Sequence, residues 1–288
     1  MGKPHMELRR FTCSCNSSIL IWLVGAMVLA ANASAQTPGI DYEKVLLPTV
    51  LAQQQPGALG SLWVTRVTVT NSGQQPVDAW PFSVSPFGVD PGSLGGLLPV
   101  NTTLEPLTNV DRQGERGTFF FMDRRFVRNV QISLRAQDIS RESLAWGTAI
   151  PVPREEAFTS GTLTLIDVPT DARFRQTLRV YSLDSSRPST VRISLFGVTL
   201  NTFSTLPQPD VFLGSQDSAL TDHRTWLPVY TLAIPGFLEI SGVNTIAPTT
   251  GYDLVRIDVR PLDGSSIWAF VTITNDETQH VTVIAPTP

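Results

Sequence analysis

Trp63-Val64-Thr65-Arg66-Val67-Thr68-Val69-Thr70-Asn71-Ser72-Gly73-Gln74-Gln75-Pro76-Val77 is the stretch that decides the fold class. Val67 and Val69 alternate with Arg66, Thr68 and Thr70, the period-two pattern of a strand with one buried face. Asn71-Ser72-Gly73 supplies turn chemistry, and Val77–Val84 reads as the return strand. The pattern comes back. Phe174-Arg175-Gln176-Thr177-Leu178-Arg179-Val180 repeats the apolar and polar order of Trp63–Val69. Each copy leads through a polar turn near a proline (Pro76, Pro188) to another strand. Later, Ser133-Leu134-Arg135…Asp138 with Trp146 parallels Asp258-Val259-Arg260…Asp263 with Trp268. Two matches in one order, roughly 110–120 residues apart, read as two tandem copies of one sandwich.

Outward from this core, turn signals separate further strands. Val45–Leu51 is the first, and Pro48 places it at an edge or a bulge. Thr118–Met122, Val130–Ala136 and Leu144–Ile150 complete the first set, with Ser85–Pro99 a long irregular connection. The second set is Thr162–Val168, Phe174–Tyr181, Thr190–Phe196, Trp226–Leu232, Leu254–Arg260, Ile267–Thr274 and Val281–Ile284. Asn201–Thr221 reads as loop. The expected fold is all-β: two tandem Ig-like antiparallel sandwiches over 36–155 and 156–288, parted near Pro151–Ser160. In Ile267–Val271, Trp268 and Phe270 share one face and Ile267, Ala269 and Val271 the other. A strand apolar on both faces is expected to be central or covered by the neighbouring sandwich.

The Val67–Val77 stretch resembles the strand–turn–strand core of bacterial immunoglobulin-like modules, including those of the cell-adhesion-related type. That resemblance implies an Ig-like sandwich used for surface display or attachment, and it carries over no functional residue.

Residues 1–35 read as a secretory signal. Lys3, Arg9 and Arg10 precede an apolar run from Ile19 to Ala31, and Ala33-Ser34-Ala35 offers cleavage after Ala35. The run is short for a membrane span, which takes about 20 residues, and no span is expected in the exported chain. Cys13 and Cys15 both lie before that run, so the exported chain has no cysteine and must close its fold by apolar burial. Export leaves 18 basic and 24 acidic side chains, because Lys3, Arg9, Arg10 and Glu7 depart with the signal. A net charge of −6 argues against nucleic acid as a partner. The expected location is outside the cytoplasmic membrane: secreted, cell-surface or periplasmic.

Acid–base chemistry is sparse. His223 and His280 are the histidines of the exported chain. Asp222-His223-Arg224 reads as a solvated loop, and Gly264-Ser265-Ser266 as a hairpin turn rather than a nucleophile elbow. No catalytic residue, metal or cofactor is assigned, since two distant histidines without thiols give no zinc spacing. Asn275-Asp276-Glu277 and Asp167…Asp171 are acidic loops that turn formation explains without calcium. Binding is the better prospect. Alternation sends Arg175, Arg179, Arg192, Arg256 and Arg260 outward; if their three strands share a sheet, they form an arginine ladder. Such a ladder would dock an acidic polysaccharide, or else be a solvated face paired with Asp258 and its neighbours. Trp80 and Phe87 are the aromatics placed to stack on sugars, while Trp63, Trp146 and Trp268 read as buried sandwich tryptophans. The expected role is non-catalytic: structural, adhesive or ligand-binding, with a surface polysaccharide or another extracellular protein as partner. A carbohydrate-binding module is the first alternative, and an extracellular hydrolase the second.

Overall fold

The computed structural model describes residues 41–51, 54–81, 96–105, 116–140, 147–184, 187–200, 208–221 and 235–286, with the backbone alone at 78–81, 96, 97 and 104. Gly39–Pro288 cluster as one compact unit, distinct from Met1–Pro38. Among the described residues there is no α-helix, only strands and short 3-10 turns. The first half supplies β1 (Tyr42–Leu47), β2 (Gln55–Pro56), β3 (Leu62–Asn71), β4 (Val77–Pro81), β5 (Gly96–Leu98), β6 (Thr102–Leu104), β7 (Thr118–Asp123), β8 (Val130–Asp138) and β9 (Thr148–Ile150). The second supplies β10 (Leu163–Pro169), β11 (Phe174–Ser182), β12 (Thr190–Val198), β13 (Val211–Ala219), β14 (Gly236–Ser241), β15 (Leu254–Pro261), β16 (Ile267–Asn275) and β17 (Val281–Ile284).

These strands form four antiparallel sheets. Sheet I runs β1-β7-β4-β5, and sheet II runs β2-β3-β8-β9 with β6 beside β3. Sheet III runs β10-β15-β12-β13, and sheet IV runs β14-β11-β16-β17. The all-β expectation holds. Several details differ from the sequence reading: β5 lies inside the expected irregular connection Ser85–Pro99, and β2, β6 and β14 form where no strand is expected. β1 stops at Leu47, because Pro48 cannot donate to a ladder. Within Asn201–Thr221, expected to be loop, β13 forms the edge of sheet III. The two sequence matches also occupy unlike places: β3 lies beside β8, whereas β11 lies beside β16 and β15 belongs to the facing sheet.

Two cores seal the fold. One gathers Leu165, Leu178, Val180, Ile193, Leu195, Ile257 and Val271 from sheets III and IV. The other joins Val45, Val67, Val77, Phe120, Met122 and Leu134 from sheets I and II, and it extends to Tyr181, Phe237, Trp268 and Phe270 of sheet IV. Sheet IV is therefore apolar on both faces over Ile267–Val271. Ile267, Ala269 and Val271 enter one core and Trp268 and Phe270 the other, as alternation along this strand requires. Strand β7, buried at all six positions, is its counterpart in the first half.

The seam between the halves is specific. The Tyr181 hydroxyl donates to the Pro48 carbonyl at 2.5 Å, and its ring stacks with Phe270 at 6.2 Å. Burial pushes the Tyr181 ionisation up. Lys44, the single lysine beyond residue 40, donates to the Leu183 carbonyl at 3.2 Å with its ammonium 5.2 Å from the Phe119 ring. Gly117, just before β7, has φ +141°, and a Cβ there would sit 2.7 Å from Tyr181 Cε1. Only glycine combines that conformation with that approach.

Candidate functional site

Along β11 the outward side chains are Arg175, Thr177, Arg179 and Tyr181, and along β16 they are Trp268, Phe270, Thr272 and Thr274. The face thus grades from aromatic to polar within one sheet. Its aromatic end is sealed against the first half. Its polar end parts from sheet II, and the gap is a cleft of about 310 Å³. Trp63, Thr65, Ala136 and Thr148 form the opposite wall, where the inner face of sheet II runs past its own core. Leu51, Gln55 and Gly57, which lie between β1 and β3 in the chain, close one side. A hydrogen bond from Thr148 Oγ1 to the Val281 carbonyl, at 2.8 Å, holds the two sheet edges together along the opening.

The cleft wall is built by ordinary local rules. The 3-10 turn Ala58–Gly60 brings Ser61 Oγ within 3.1 Å of Trp63 Nε1, which satisfies the indole donor. Gly57 lies against that indole. A Cβ there would meet Ser61 Oγ at 2.2 Å and Trp63 Nε1 at 2.6 Å, so any side chain would displace the tryptophan. Across the cleft, Arg179 Nε donates to Glu239 at 2.9 Å and its Nη1 to Thr272 Oγ1 at 3.2 Å, with the guanidinium 5.8 Å from the Phe270 ring. Two of its five donors are so engaged. Arg175 lies 3.6 Å from an Asp276 oxygen, which is attraction rather than a hydrogen bond. Its side chain is 50% exposed against 21% for Arg179, so one guards the rim and the other sits deeper. Among the described residues that line the cleft there is no carboxylate.

The five candidate arginines do not share a sheet, which corrects the expected ladder. Strand pairing places β11 in sheet IV and β12 and β15 in sheet III. Arg192, Arg256 and Arg260 do lie together on the outer face of sheet III, with Arg192 opposite Arg260. Two of these three arginines are paired with carboxylates of that face, as Arg179 is with Glu239 on sheet IV. Arg192 forms a fork on Asp217 at 2.7 and 2.8 Å, which lowers the Asp217 pKa through hydrogen bonding. Arg256 pairs with Asp210 and Asp258 while lying 4.1 Å above the Phe196 ring. Arg175 and Arg179 are the pair that reaches a concavity.

The backbone of Trp80 lies in β4, and its side chain is outside the described residues, as are Phe87, Trp146, Trp226 and His223. Trp63 departs from the buried-tryptophan expectation: it is half-buried and lines the cleft. Trp268 is buried, but in the seam rather than within a sandwich. His280 is exposed. In the Asn275-Asp276-Glu277 turn, the Asn275 side chain accepts from the Glu277 and Thr278 amides. A fork from Arg173 holds the Asp171 carboxyl down to about 2. Among the described residues no group of three or more His, Cys, Asp or Glu could hold a metal ion.

The sequence reading missed Thr272, Thr274, Thr148 and Trp63 as a set. Each sits on an alternating face, but nothing local says that sheets II and IV face each other there. Comparisons with protein-family models, with curated proteins and with solved structures found no match.

Proposed function

We propose that this is an exported, non-catalytic protein that holds a ligand in the seam cleft without transforming it, in a structural or adhesive role at the cell surface or in the periplasm. Residues 1–35 act as the cleaved signal, and 36–155 and 156–288 are two Ig-like modules fused through the Tyr181 seam. The resemblance of Val67–Val77 to bacterial adhesion modules supports the modular part. The observation that carries the binding part is the cleft itself, at about 310 Å³ within the size range of ligand sites. Its wall offers guanidinium, hydroxyl and amide groups beside apolar Leu51, Ile150 and Val283.

The test is retention of the full chain on a panel of immobilised glycans and polyanions, with each ligand analysed after incubation. Retention with ligands recovered intact is expected. Cleaved or modified ligands would overturn the non-catalytic reading, and no retention on any member would overturn the binding one. The carbohydrate-binding alternative is favoured by Trp63 at the cleft wall, because an aromatic side chain suits the apolar face of a sugar ring.

A further inference from the structure

We infer that the cleft takes a uronic-acid unit of an acidic polysaccharide, its carboxylate on Arg179 and that of a neighbouring unit on Arg175. This deepens the passive-binding reading and rests on it. The chain as a whole is acidic, with formal net charge −4, yet the described cleft lining carries two guanidinium groups and no carboxylate. The lining thus presents guanidinium donors to an anion, with Glu239 on Arg179 and Asp276 near Arg175 standing outside it. Arginine's planar fork pairs with carboxylates in two parallel bonds.

Four residues apart on one strand, Arg175 and Arg179 have Cα atoms about 13 Å apart, which lets each read its own group on an extended ligand. The remaining chemistry suits a sugar more than a bare ion. Thr65, Thr272 and Thr274 offer hydroxyls, while Trp63 and Val281 offer apolar surface to a pyranose ring. A lone phosphate or sulfate would use none of the latter. Glu239 grips Arg179 from beyond the cleft lining, and Thr272 fixes a second nitrogen, so the guanidinium is positioned before a ligand arrives.

Calorimetric titration of the full chain compares oligogalacturonate with its methyl ester, which has the same shape and no charge, and with inorganic sulfate. The acid form is expected to bind at least tenfold tighter than the ester. Arg179→Gln should weaken it at least tenfold and Arg175→Gln several-fold, with Arg192→Gln on the self-paired face without effect. Arg175 stands at the exposed rim, so its replacement keeps the fold and the test survives if Arg179→Gln does not. Equal binding of acid and ester, unchanged binding by both cleft variants, or sulfate alone binding as tightly would overturn the inference. Ester binding that Trp63→Ala abolishes would overturn the acidic class while leaving the passive-binding reading intact. Loss of the latter requires that no glycan of the wider panel be retained.

Discussion

The outer faces of sheets III and IV carry arginines by the same alternation and put them to different ends. On sheet III, Arg192 and Arg256 face solvent and are matched by Asp217, Asp210 and Asp258 of their own sheet and its flanks. On sheet IV, Arg175 and Arg179 share a face with Tyr181, Trp268 and Phe270, which the first half of the chain covers. An outward residue on sheet III meets water and its cross-strand partner. An outward residue on sheet IV meets another sheet pair, and where the fit fails a cleft results. The function of a strand face thus depends on what lies across from it, which alternation along the strand does not state.

Substitutions can break this contrast, starting with the seam. Tyr181→Ala removes a fully buried ring and its hydrogen bond to Pro48, and should cost about 3–5 kcal/mol in denaturant unfolding. Tyr181→Phe should cost about 1 kcal/mol, since it leaves the Pro48 carbonyl without that donor. If both cost less than half of this, the seam is not a packed core. Gly117→Ala should cost about 1–3 kcal/mol, because the new methyl meets the Tyr181 ring in an unfavourable backbone conformation.

A pH series sharpens the contrast further. Burial holds the Lys44 ammonium below the usual lysine range, against the attraction of Glu155 and Asp184. The unfolded chain then keeps this proton where the folded one gives it up, so stability should rise with pH from the folded pKa up to the usual value of 10.5. Lys44→Met should lose that rise. The difference between wild type and variant unfolding free energies, followed over the alkaline range, reads it directly; a difference independent of pH would show that Lys44 is charged and solvated.

Sheet III should respond least. Arg256→Gln gives up the stack on Phe196 and two carboxylate contacts, at about 1 kcal/mol. Arg192→Gln, at a half-exposed ion pair, should leave the thermal unfolding midpoint essentially where the wild type has it. A larger loss at Arg192 than at Tyr181 would reverse the assignment of the two faces.

Much of this was legible along the chain. The polar side of Phe174–Tyr181 and the two-faced character of Ile267–Val271 follow from alternation, and both reach the structure intact. Strand β13 was not legible. Val211–Ala219 carries a glycine and a polar run because most of the strand is exposed at a sheet edge, where no buried face imposes a pattern. The arginine ladder failed for a different reason: strand partnership between β11, β12 and β15 is decided by crossings between sheets, not by residues within a strand. Trp63 looked like a core residue because the inner face of sheet II is apolar at Val67 and Leu134. That face outruns its partner sheet by the time it reaches Trp63.

The cleft exists only if the sheet pairs are locked through Tyr181, Trp268 and Phe270. Backbone ¹⁵N relaxation tests that lock most directly. Residues of β3 and β8 should report the same rotational correlation time as residues of β12 and β15, that of one body. Two shorter and unequal times, each suited to half the mass, would mean that the halves tumble apart and that no seam cleft persists.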